Sequence, residues 1–216
     1  MESMTRLDSQ HQLDAAVDIV IACEPRFHAT VLSHGYPRLR RMTPGLASLL
    51  RIVTDQLISL KAGEAIWARI ACSIDPADAQ SLAVMPEHDL MRLGLSGGKA
   101  RTFQAAARAI MDGNIDFDAL EQAPDQEVLA RLQSIKGIGP WTADIYLLIA
   151  MGRSDAWPKG DLALQVAAQS LLGLEGRPAP REMERLSIPW QPHRAAAAHL
   201  LWSHYRGLKG LKQAAS

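Results

Sequence analysis

The chain has 216 residues, 48% of them hydrophobic, which suits one large domain or two small lobes sharing a core. No apolar run approaches the ~20 residues of a membrane helix, and the opening MESMTRLDSQ lacks the charged-then-apolar pattern of a signal peptide. Its 23 basic and 23 acidic residues argue against a partner held mainly by net charge, two cysteines are too few for a four-thiolate iron–sulfur cluster, and no CxxC pair or His partner gives a zinc site.

A soluble intracellular protein with no membrane partner is therefore expected, with Cys23 and Cys72 as reduced, mostly buried thiols. In chain order, Leu46, Leu49, Leu50, Val53, Leu57 and Leu60 follow the spacing of one helix face, with Thr43 as cap and Pro44 in the first position. Gly63 reads as the break before a second helix, EAIWARIACSI, which Asp75-Pro76 closes. A short helix in PEHDLMRLG stops at Gly94, and Ser96 opens a loop, SGGK, before a helix from Lys99 to Met111. Residues 112–123 read as a turn-rich connection, and Pro124 starts a helix that runs to about Ser134. A helix from Pro140 to Met151, apolar on nearly all sides, is expected at the centre of the core. Two more follow, from Asp161 to Gly173 and from Pro192 to Arg206, before a tail, LKGLKQAAS, that should fray. No alternating strand pattern is present, so the expected fold is all-α, with roughly ten helices.

Charge is segregated along this neutral chain. Arg38, Arg40, Arg41 and Arg51 fall in one acid-free stretch, and Arg92, Lys99, Arg101 and Arg108 in another. No acid follows Glu184, whereas five basic residues do. Such segregation can build one positive face, or simply solvated helix faces.

The sharpest local feature is IKGIGPWTA, residues 135–143. A helix ends, turns through Gly137 and Gly139, and restarts at Pro140. Glycine permits a positive-φ or crowded backbone, and the restarting helix presents free N–H groups to an anion such as a phosphate. Converging carbonyls could hold a monovalent cation. A plain αα-hairpin explains the glycines equally well.

The surroundings add to this. LQSIKGIGPWTA resembles the helix–hairpin–helix motif of DNA-repair proteins, filled by Ile135, Gly137, Ile138, Gly139, Thr142 and Ala143. WPKGDLAL, about twenty residues later, resembles the end of the HhH-GPD signature of base-excision DNA glycosylases. QLIS with Lys61-Ala62, LGLSGGKARTFQAAARAI and WQPHRAAAAHLLW are similar to segments of the alkylated-base branch, the 3-methyladenine DNA glycosylase II group, so the likeness spans about residues 40–206.

The resemblance implies a minimal, all-helical member without the N-terminal β-domain, in two lobes with a cleft between them. One lobe would hold about residues 1–40 and 155–216, the other about 41–154, with the hairpin at 133–142. It implies hydrolysis of the N-glycosidic bond of alkylated purines, of 3-methyladenine and 7-methylguanine type, in duplex DNA after base flipping. Asp161 would be the catalytic carboxylate, although Asp is also a common helix cap. The amides of Gly137, Gly139 and Thr142 would grip a phosphate. The carbonyls of Gln133, Ile135 and Ile138 would ligate Na⁺ or K⁺, with no cofactor needed for catalysis. Trp141 and Trp202 would offer indole faces to a cationic base, and both also fit a core role. Ile145 stands where relatives carry an aromatic and would narrow that pocket. Trp141 occupies the position at which lyase members carry lysine, so no Schiff-base chemistry is expected. In the loop expected to wedge the DNA, Gly98 replaces a bulky residue and Leu95 is the candidate substitute. A monomer is expected, in the cytoplasm with the nucleoid of a bacterium or in a eukaryotic nucleus. The alternatives are a non-catalytic hairpin DNA-binding module and an all-α protein-binding scaffold.

Overall fold

The computed structural model describes residues 6–210. Among these, thirteen α-helices account for the architecture, and the only β pairing is an isolated bridge between Arg6 and Arg153. The chain divides into two units, one of Met1–Arg41 with Gly152–Ser216 and one of Met42–Met151. In chain order the first unit opens with α1 (Gln10–Cys23) and α2 (His28–His34). The second carries α3 (Leu46–Asp55), α4 (Leu60–Ser73), α5 (Ala79–Val84), α6 (Glu87–Arg92), α7 (Gly97–Met111), α8 (Phe117–Gln122), α9 (Asp125–Gln133) and α10 (Pro140–Ile145). The chain then returns to the first unit with α11 (Leu162–Leu172), α12 (Pro180–Ser187) and α13 (Arg194–Leu208).

The first unit is built on alanine. Ala195 to Ala198 are buried on α13 and let it pack against α11, which buries Leu164, Ala167 and Ala168, and against α1, which buries Leu13, Val17 and Val20. Trp190 fills the space beside them, edge-on to Phe27 at 5.2 Å and to Trp157 at 5.6 Å. In the second unit, Leu49, Leu50 and Val53 of α3 and Phe103 and Ala107 of α7 share the core with the apolar run Tyr146 to Met151. That run is buried on all sides, which is why it carries no polar face.

Several local expectations need correction. Gly45, with φ +139°, precedes the first helical residue Leu46, so Thr43 is not the cap; its carbonyl instead accepts from the Ser48 hydroxyl at 2.5 Å. Helix α3 stops at Asp55, so Leu57 and Leu60 leave the core face on which spacing alone puts them. Gly63 is not a break. It lies in the first turn of α4, where an added Cβ would run into the Asp55 carboxylate, so the residue is needed for close approach. Residues 112–123 include a helical turn, α8, because the Asp116 side chain caps the amides of Asp118 and Ala119. The helix after the hinge is α only to Ile145 and continues as a π turn over Tyr146–Ala150, closed by the Met151 N–H on the Tyr146 carbonyl at 3.0 Å. Both cysteines are exposed, not buried, because they fall near helix C-termini on outward faces. Of the tail expected to fray, residues 211–216 lie outside the described residues.

Candidate active site

The hairpin sits between α9 and α10. Ile135 and Ile138 are buried beneath the turn, and the Ile138 N–H donates to the Ile135 carbonyl at 3.0 Å. Gly137 takes φ +96°, and a Cβ there would overlap the Thr102 hydroxyl. That hydroxyl in turn donates to the Gly98 carbonyl at 3.0 Å, so Gly98, Thr102 and Gly137 are stacked. Gly139 differs: its φ is −95°, available to any residue, and nothing lies within 4 Å of a Cβ built on it. The fold itself therefore does not demand glycine at 139, whereas a ligand approaching the backbone closely would.

Helix α10 starts with Pro140 and has no side-chain cap. Its first intrahelical bond is Ala143 N–H to the Gly139 carbonyl at 3.1 Å, so the amides of Trp141 and Thr142 come before the regular ladder. Thr142 is buried, and its hydroxyl accepts from the Gln56 side-chain amide at 2.7 Å. First-turn amides thus stand beside a bare glycine Cα. Gln133 is exposed, and its side chain bonds the Leu129 carbonyl. The Ile135 carbonyl accepts one hydrogen bond, from Ile138, and keeps a second lone pair.

Asp161 belongs to the first unit. It is the N-cap of α11, and only 7% of its surface is exposed. Its Oδ1 accepts from the Leu164 amide at 3.0 Å and from the Trp202 indole N–H at 3.3 Å. Capping and an indole contact therefore coexist. Trp202 is itself buried, edge-on to His199 at 5.7 Å, and the Arg40 guanidinium lies over its ring 5.5 Å from the centroid. His199 anchors this arrangement. It accepts the Arg40 backbone N–H at Nε2 (3.4 Å), while its Nδ1 lies 2.8 Å from the Ala195 carbonyl, which fixes the neutral tautomer with the proton on Nδ1. Burial, and then the Arg40 and Arg206 charges, push its pKa down to about 4, against the hydrogen bond to Ala195.

The remaining candidates separate. Trp141 is partly exposed at the first turn of α10, and Ile145 is buried one turn on. Leu95 is only 4% exposed, so it does not project and the wedge assignment fails for it; it serves the core beside α7. Gly98 has open space around it but no side chain to insert. Sequence reasoning missed Leu57. It is fully exposed, at 104% of the reference surface, and is the only non-glycine residue with positive φ (+56°) among the described residues. Ile58 and Leu60 beside it are also exposed. The usable signal was Ser59, which caps α4 through the Ala62 amide at 3.2 Å and so requires a non-helical stretch just before it.

The chain is similar to known DNA-repair proteins. Residues 50–192 match the model of the HhH-GPD superfamily base excision DNA repair proteins. DNA-3-methyladenine glycosylase 1 of Schizosaccharomyces pombe is 30% identical over 158 residues, which cover 71% of this chain and 69% of that protein. YfjP of Bacillus subtilis is 31% identical over 123 residues, 57% of this chain, and the match spans only 43% of its length. The solved structure of the Schizosaccharomyces pombe 3-methyladenine DNA glycosylase in complex with abasic DNA shares the fold, with a TM-score of 0.81 at 24% identity over 94% of this chain and all of that one. On this match the chain belongs to the HhH-GPD superfamily of base excision DNA repair proteins.

Proposed function

We propose that the protein is a monofunctional DNA glycosylase that hydrolyses the N-glycosidic bond of alkylated purines in duplex DNA. The observation that carries this reading is the Asp161 carboxylate: buried, at a helix N-terminus, with its rotamer fixed by Leu164 and Trp202. Cleavage of the bond develops positive charge on the sugar. A preorganised carboxylate stabilises that charge and can orient the attacking water. An alkylated purine already carries positive charge, which weakens the bond and lightens the demand on the enzyme. The amides around Gly139 suit a backbone phosphate, and the carbonyls of Gln133, Ile135 and Ile138 would hold Na⁺ or K⁺ there, adding positive charge beside it. Leu57, an exposed apolar side chain on a rigid turn, is suited to fill the space left by an extruded base. Trp141 has no amine, so the product is an abasic site and not a covalent adduct.

The test is a panel of modified-base duplexes, scored by alkaline cleavage at abasic sites. Asp161→Asn keeps the cap, since Asn serves it as well, and is expected to lower base release on the order of 10²-fold or more with DNA affinity retained. Base release at the normal rate by that variant would remove Asp161 from catalysis. Borohydride should trap no covalent DNA adduct.

A further inference from the structure

Apart from Leu57, two motifs find no use in the reading above: Gln56 to Ser59 in QLIS, and Ser96 to Lys99 in SGGK. The second unit brings them together. Ser96 caps α7 through the Lys99 amide at 3.4 Å, which places Lys99 in the first turn of that helix. A cation there opposes the helix dipole. Its ammonium is carried inward, donating to the carbonyls of Thr54 at 2.8 Å and Gln56 at 2.7 Å. Burial lowers the Lys99 pKa, and the Asp55 charge opposes the shift. Lys99 thus supplies the donors that the last carbonyls of α3 lack.

The Gln56 carbonyl and the Leu57 N–H belong to one peptide plane, so an ammonium fixed on that oxygen fixes one side of the Leu57 φ. The other end of the turn is held by the Ser59 cap of α4. The Gln56 side chain reaches the opposite way, to the Thr142 hydroxyl at 2.7 Å on the first turn of α10. A leucine at φ +56° costs roughly 1–3 kcal/mol and persists only where its surroundings impose it. Here the surroundings are one lysine, one glutamine and the hairpin helix.

We propose that Lys99 and Gln56 are positioning residues that hold the Leu57 turn in its left-handed conformation and lock it to the hairpin helix through Thr142. The exposed leucine and the phosphate-gripping amides then keep a fixed register along the DNA. This rests on the assignment of Leu57 as the DNA-inserting residue.

The test is a double-mutant cycle on full-length protein. It is read by single-turnover base release and by the fluorescence of 2-aminopurine placed next to the lesion, which reports unstacking. Lys99→Met keeps the stem and removes the donors. In the wild-type background it is expected to cut base release about tenfold and reduce the fluorescence rise, with the thermal midpoint and duplex affinity little changed; in a Leu57→Ala background it should add less than about twofold. Lys99→Arg should restore part of the rate. If Lys99→Met and Leu57→Ala multiply as independent defects, or if Lys99→Met leaves rate and fluorescence unchanged while Leu57→Ala is impaired, the brace is refuted. If Leu57→Ala itself behaves as wild type, the inserting role of Leu57 is what fails, and the brace falls with it. Gln56→Ala leaves both Lys99 contacts to backbone oxygens in place and carries the same cycle should Lys99→Met not fold.

Discussion

At Gly137 an added methyl would overlap the Thr102 hydroxyl and sit on a backbone with φ +96°. Gly137→Ala should therefore cost about 2 kcal/mol or more in a denaturant titration, since positive φ alone penalises an L-residue by about 1–2 kcal/mol. Two residues on, Gly139 has φ −95° and open space, so Gly139→Ala should leave stability within ~0.5 kcal/mol. Its effect should appear instead as weaker duplex binding, measured by anisotropy. The sequence presents these glycines as equivalent; a tertiary contact to Thr102, thirty-odd residues away, is what distinguishes them. Asp161 was legible as a helix start because it stands just before an apolar run, and only the likeness of WPKGDLAL to the HhH-GPD signature marked it as a catalytic candidate. Its hydrogen bond from Trp202 joins residues 41 positions apart, and no local pattern encodes it.

At the scale of elements, the stripe His199, Trp202 and Arg206 on α13 sets a pH dependence. His199 is fully buried and holds the Arg40 backbone only in its neutral form. Its folded pKa of about 4 lies below the ordinary 6.5, so as pH falls the unfolded chain takes up the proton first. The stability conferred by neutral His199 is complete above pH 6.5, is lost progressively towards pH 4, and falls no further below that. The loss is about 3 kcal/mol. Thermal midpoints of wild type and His199→Leu across this range should converge as the pH drops.

Element existence was readable where a start signal met an apolar pattern, as with Pro124 before α9 and Asp161 before α11. It was misread where a tertiary bond overrode the pattern. Lys99 ends α3 early by taking its last carbonyls, and that exposed Leu57, which spacing had assigned to the core. The π turn after Ile145 is likewise invisible in a uniformly apolar run. The adjoining Tyr146 hydroxyl accepts the Gly45 N–H at 2.7 Å, tying this segment to the start of α3.

For the molecule as a whole, net charge is zero, with 23 residues of each sign. On the proposed reading, hairpin amides take the place of some lysines at the phosphates, so few counterions are displaced. The slope of log affinity against log salt should be roughly −3 or shallower, against about −10 for a strongly basic binder. A steep slope would shift the main contacts from the hairpin amides to the arginine clusters.

The first unit is assembled from two segments, and in sequence the second unit lies between them, from Met42 to Met151. Met42 N–H closes on the Ile149 carbonyl at 2.8 Å, so the inserted segment begins and finishes at one point. On the ribosome, these residues can mature as soon as position 151 has left the exit tunnel. Helices α1 and α2, made before α13, must wait for it before their apolar faces are covered, and that interval is when a nascent chain most needs a chaperone.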